Sequence, residues 1–157
     1  MDLPYHTRLT AAQQQAAGLT HPAPLAIADI VHHDDLDSLD HVNNTRYFTW
    51  FERLRIRHMT HYGIGTLNDP SSPRIVIRSG EVRFVAELRG GETYITTCHC
   101  TALRTTSMTL SQEIWAAGTL RATFSCVMVL LTQDGSARQP IPEAIRAKLI
   151  ADGAAPA

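Results

Sequence analysis

The chain has 157 residues, 44 % of them hydrophobic, which is enough for one domain with its own core. Fourteen basic against fifteen acidic residues leave a net charge of −1, so there is no electrostatic footprint for nucleic acid. Three cysteines without a CxxC pair exclude a zinc ribbon or disulfide framework, and no run approaches the roughly 20 apolar residues that cross a bilayer.

Residues 1–24 read as a polar N-terminal arm, with a Gln13-Gln14-Gln15 run, prolines at 4, 22 and 24, and a short helix around 9–17. The opening stretch lacks the basic-then-apolar pattern of a secretion signal, so a cytoplasmic protein is the expectation. LAIADIVH, residues 25–32, is apolar enough for a first strand. HHDDLDSLDHVNN follows at 32–44, with four aspartates and three histidines in thirteen residues.

Asn43 or Asn44 can cap the next element, since a short amide accepts from the free N–H groups of a first helical turn. Tyr47, Phe51, Leu54, His58 and Tyr62 recur at steps of four, three, four and four, the period of a helix burying one face. His58 falls on that stripe as a packed core histidine, Glu52 can pair with Arg55 one turn on, and Gly63 stops the helix. GIGTLNDPSSP is loop chemistry.

Consecutive strands come next. In RIVIRSGEVRFVAEL, Ile75 and Ile77 have opposite parity to Val82, Phe84, Ala86 and Leu88, so an extra residue must be absorbed, most cheaply near Ser79-Gly80. Gly90-Gly91 turns into ETYITTCHCTAL, RTT leads into SMTLSQEIW, and Ala117-Gly118 turns into TLRATFSCVMVLLT. That last strand is apolar on both faces, which suits the middle of a covered sheet or a subunit contact. Pro142 opens a final helix, PEAIRAKLIAD. The expected fold is α+β: an antiparallel sheet of about five strands with one long helix across it and a short C-terminal helix. The domain runs over 25–150, and 151–157 form a disordered tail.

Three readings of the acidic loop stand side by side. It is a solvated loop whose carboxylates suit the positive end of a helix. It is a metal site built on His32, His33 and Asp34, with phosphohydrolase chemistry, although His58 and His61 lack the spacing of a metal helix. Or the chemistry sits at the helix start, where unpaired N–H groups hold an oxyanion and an upstream carboxylate acts as nucleophile or base on a thioester.

DLDSLDHVNNTRYFTWFERLR resembles the loop and helix of the 4-hydroxybenzoyl-CoA thioesterase family, approximately DxDxxGHVNNxxYxxxFExxR. RFVAELRGGE, TTSMTLSQEI, LRATFSCVMVLL and PIPEAIRAKL are also similar to that family's later stretches. The resemblance implies a hotdog fold and an acyl-CoA thioesterase acting on acyl-CoA or acyl-carrier-protein thioesters. It implies a homodimer or homotetramer with interfacial sites, and no metal or organic cofactor. By motif position, Asp37 would be nucleophile or general base and the Asn44 backbone N–H the oxyanion donor. His41, Asn43 and Tyr47 would line the substrate pocket. Asp40 replaces the family's glycine, and Asp tolerates a positive backbone angle better than most residues. A non-hydrolytic hotdog protein that binds acyl-CoA is the alternative, because fold alone does not fix activity.

Overall fold

The computed structural model of the chain describes residues 3–65, 69 and 72–157. The loop expected over GIGTLNDPSSP therefore lies partly outside the described residues.

In chain order the elements are α1 (Ala11–Ala16), β1 (Leu25–Ile30), α2 (Asn44–Tyr62), β2 (Arg74–Phe84) and β3 (Thr93–Leu103). β4 (Ser107–Ala116), β5 (Thr119–Leu131), α3 (Glu143–Ala151) and β6 (Ala155–Pro156) complete the set. The sheet order is β1-β3-β4-β5-β2, every neighbouring pair antiparallel, and β6 adds a short parallel pairing to β3. The long helix α2 lies across one face of this sheet, as the strand–helix–meander order requires, and the arrangement is the hotdog fold that the family resemblance implies.

α2 forms because its apolar stripe and its caps agree. Tyr47, Phe51, Leu54, His58 and Tyr62 are buried as the period requires, joined by Trp50, Met59 and Arg55. Asn43 is the N-cap, and Gly63 ends the helix at φ +76°, a left-handed angle that suits glycine. Glu52 and Arg55 do not pair. Arg55 turns inward, where its Nη1 donates to Gln112 Oε1 at 3.0 Å.

β5 is apolar on both faces because it is interior, held between β4 and β2. The free edge is β2, most of whose residues are exposed. The extra residue in β2 is absorbed between Ile77 and Ser79, at Arg78, just ahead of the expected Ser79-Gly80. Gly80 has its own reason: a Cβ there would meet the Phe124 ring at 2.6 Å.

The two termini are more ordered than composition suggests. In the arm, Thr10 and Gln13 form a reciprocal capping box. Gln14 is buried with its amide satisfied by the Leu9 and Ala23 carbonyls and the Ala23 N–H. Leu9 and Leu19 then pack on Ala26, Ala28 and Ile95 as a second small core. At the other end, the stretch expected as a disordered tail is tied down. Ala154 is buried, Ala155 and Pro156 pair with Ala102 and Leu103, and Ala157 N–H donates to the Leu103 carbonyl. β1 covers β3 only from Thr93 to Cys98, so the last residues of β3 offer free backbone groups there, a pairing opportunity that composition does not display. Among the described residues no helix is long and apolar enough to cross a membrane.

Candidate active site

The acidic stretch folds as a turn within a turn. After β1, residues His33–Asp35 make one 3-10 turn, and Leu36 bridges to Val42. Inside that bridge the Asp37 N–H donates to the His41 carbonyl at 2.9 Å, and the Asp40 N–H donates to the Asp37 carbonyl at 3.1 Å. Asp40 sits at φ +62°, the positive angle at the position where the resembling family carries glycine. The strain is local, so Asp40→Gly is expected to leave stability equal or higher by up to about 1 kcal/mol, and Asp40→Val to lower it by about 1–2 kcal/mol. Denaturant midpoints of the two variants against the parent check this.

The four aspartates have different surroundings. Asp34 is exposed; its carbonyl accepts from Arg46 Nη2. Asp35, at a strand end where water could solvate it, is instead buried. Its carboxylate accepts from the His32 N–H at 2.9 Å and lies 3.5 Å from Arg46 Nε, and its carbonyl accepts from the Asn43 N–H. These bonds make Asp35 the brace between the loop and the start of α2. Asp37 is only half-buried. One carboxylate oxygen accepts from the Leu39 N–H at 2.8 Å and stands 3.7 Å from His41 Nδ1.

Asp37, His41, Asn44 and Tyr47 line one open cleft of about 480 Å³, closed on its far side by Phe84, Val85 and Glu87. Asn43 does not join them. Its side-chain oxygen is used as the α2 cap, accepting from Thr45 N–H at 2.9 Å and Thr45 Oγ1 at 2.8 Å. Asn44 is the first residue of α2, and its N–H meets no acceptor among the described residues. Tyr47 is buried edge-on to Phe84 at 5.2 Å, and burial raises its phenol above the usual range.

Glu87 has no signal in the sequence. It reaches the site because the chain beyond β2 bends back over the start of α2, where Val42 N–H donates to the Leu88 carbonyl. Its carboxylate lies 3.7 Å from His41 Nε2, so the imidazole stands between Asp37 and Glu87. Arg89 donates to that carboxylate at 2.6 Å and holds its pKa below the ordinary glutamate value. Arg121 fixes the Glu87 backbone through its carbonyl at 2.6 Å and bonds Glu92 with its other guanidinium arm. A carboxylate beside free N–H groups at a helix start can attack a carbonyl or activate water while the N–H groups take up the negative charge on oxygen. Among the described residues, no group of three or more His, Cys, Asp and Glu side chains is arranged to hold a metal ion.

The thioesterase-like superfamily matches residues 31–149, which contain the loop, α2 and the sheet from β2 to β5. No curated protein sequence matches the chain. Among solved structures, a thioesterase superfamily protein from Jannaschia sp. CCS1 shares 37 % identity, with 99 % of each chain covered and a TM-score of 0.91. A predicted thioesterase from Bacillus stearothermophilus shares 26 % identity over 84 % of this chain and 98 % of its own, with a TM-score of 0.74. A thioesterase from Thermus thermophilus, complexed with coenzyme A and Zn, shares 26 % identity over 82 % of this chain and 98 % of its own, with a TM-score of 0.69. The chain that folds this loop against this helix start belongs to the thioesterase-like superfamily.

Proposed function

We propose that the protein hydrolyses acyl-CoA thioesters, with Asp37 as the catalytic carboxylate and the Asn44 N–H in the oxyanion hole. The observation that carries this reading is one cleft lined both by Asp37, a half-buried carboxylate, and by Asn44, whose N–H meets no acceptor among the described residues. The thioester carbonyl oxygen would point at the Asn44 N–H, where the helix start favours negative charge. Asp37 either takes a proton from an attacking water or adds to the carbonyl itself, and the C–S bond breaks to release the coenzyme A thiolate. In the second route water then cleaves the mixed anhydride, so both routes yield a free acid and free thiol. His41, held between two carboxylates, orients Asp37, and Tyr47 with Phe84 forms the apolar wall against which an acyl group rests.

The resemblance of the loop to 4-hydroxybenzoyl-CoA thioesterases supports an aromatic acyl group as a first candidate. Coenzyme A is the thiol carrier favoured over an acyl-carrier protein, since a solved relative is complexed with coenzyme A. The working unit would be a homodimer or a homotetramer built from dimers, because β2 leaves one sheet edge unpaired. Release of free thiol from a panel of aromatic, short-chain and long-chain acyl-CoAs tests the activity. Turnover of at least one class is expected. Binding across the panel without thiol release would instead favour the non-hydrolytic acyl-CoA carrier.

A further inference from the structure

Arg55 is a buried cation without an anion. It is 8 % exposed, and among the described residues no carboxylate forms an ion pair with it. Its Nη1 donates to the Gln112 amide oxygen at 3.0 Å, and the Phe124 ring centre lies 5.3 Å from the guanidinium carbon. Its other N–H groups meet no acceptor among the described residues. The nearby Cys98 and Cys126 supply no thiolate, because burial pushes both thiols up. A guanidinium does not escape burial by giving up its proton, and an amide with a ring offsets only part of its desolvation.

The unspent donors adjoin open space. Arg55 lines a cleft of about 550 Å³ between α2 and the first half of β2, walled by Met59, Ile64, Ile75 and Met128. Towards solvent the lining stays apolar, with Ile56 and Ile77 at 44 % and 45 % exposure. Glu52 also lines the cleft, exposed and one turn before Arg55 on α2. No lining residue is shared with the cleft of Asp37 and Asn44. Arg55 lies about 16 Å further along α2 than Asn44, at about 1.5 Å of rise per residue. An apolar cavity with one convergent charged group has the make-up of a small-molecule site.

We infer that this cleft binds an apolar acid, its body against the methionines and isoleucines and its carboxylate on Arg55. Among the described residues that line the cleft, Arg55 is the one cation, so it answers a single negative charge better than a phosphate group, which carries nearly two. The planar fork of its guanidinium matches a carboxylate. Methionine side chains adapt to the shape of an apolar body. Glu52 opposes the anion only weakly, since water screens an exposed charge, whereas Arg55 acts from apolar surroundings. Two sources share this chemistry. One is a free carboxylic acid, the class of product that the hydrolysis proposed above releases. The other is the far end of an acyl group that carries a second carboxylate and extends along α2 from a thioester held at Asn44. Only this second source rests on the thioester reading.

Isothermal titration calorimetry of the full chain with decanoate and with decanol provides the test. The parent should bind decanoate at least about 10-fold more tightly than decanol, because the two share one apolar chain and differ in charge. Arg55→Met should weaken decanoate on the order of 100-fold and leave decanol nearly unchanged. It exchanges a buried, unpaired cation for an apolar side chain of similar length, a change that folds commonly tolerate. Should it fail to fold, the parent's preference for decanoate and Glu52→Gln carry the test. Glu52→Gln, at an exposed position, should tighten decanoate by about 2- to 5-fold. Hydrolysis of dodecanedioyl-CoA against dodecanoyl-CoA separates the sources. A preference for the dioyl substrate that is lost in Arg55→Met places the acid on the acyl group, and equal kcat/KM for the two assigns the cleft to a free acid. Decanoate bound no more tightly than decanol, equal decanoate binding by the parent and a folded Arg55→Met, or weaker binding by Glu52→Gln overturns the inference. These binding readings hold whether or not any thioester is cleaved.

Discussion

Asp37→Asn is expected to slow thioester hydrolysis by about 100-fold or more while leaving the fold and acyl-CoA binding in place. The amide keeps the shape of the carboxylate and can still accept from the Leu39 N–H, the bond that holds this side chain at 2.8 Å. What it loses is the charge that attacks a carbonyl or takes a proton from water. The other aspartates set the contrast. Asp35→Asn retains turnover in proportion to folded protein but lowers stability, because Asp35 is buried between the His32 N–H and Arg46. Asp34→Asn changes little, since Asp34 is exposed. The check is kcat, KM and urea midpoint for the three variants side by side. Near-parental kcat in Asp37→Asn, with turnover abolished in folded Asp35→Asn, would move the catalytic carboxylate two residues upstream.

Much of this arrangement is legible in the sequence where the signal is local and periodic. The α2 stripe follows from side chains three and four apart, and the parity change in β2 requires an extra residue whatever the rest of the chain does. The positive φ at Asp40 is legible only through the family resemblance, whose glycine at that position points to a backbone angle few residues adopt. The illegible features depend on partners distant in the chain. Charge alone does not separate Asp35 from Asp34, because the burial of Asp35 comes from Asn43 and Arg46 closing over it. The asparagine pair does not show that Asn43 is spent on the cap and only Asn44 faces the cleft. Arg55 has a local acid at the right helical spacing, yet it bonds Gln112, fifty-seven residues away. Glu87 enters the site through a bend at the end of β2 that no motif announces.

Stability should fall on acidification because of His58, and removing that histidine should abolish this part of the loss. His58 is fully buried on the core face of α2, its ring 4.6 Å from that of Tyr62, and neither ring nitrogen meets a partner. Burial lowers its pKa from 6.5 to about 4; the neighbouring His61 and His99 push the same way, and Asp152 opposes them. Asp152 is already engaged, accepting from the Tyr62 hydroxyl at 2.5 Å. A depressed histidine pKa means that the unfolded chain binds the proton first. Between pH 6.5 and about 4 the unfolded state therefore holds more protons than the folded state, and stability drops as pH falls through that window. At about 1.4 kcal/mol per pH unit the loss reaches about 3 kcal/mol, a large share of a domain's stability. His58→Leu keeps an apolar side chain of similar bulk and carries no titrating group. Urea unfolding at about pH 7, 5.5 and 4.5 should show the parent losing ground to His58→Leu by about 2 kcal/mol across the series, with every other titrating group common to both chains. A gap between the two proteins that stays constant with pH would mean that His58 takes up its proton at the same pH in the folded and unfolded states.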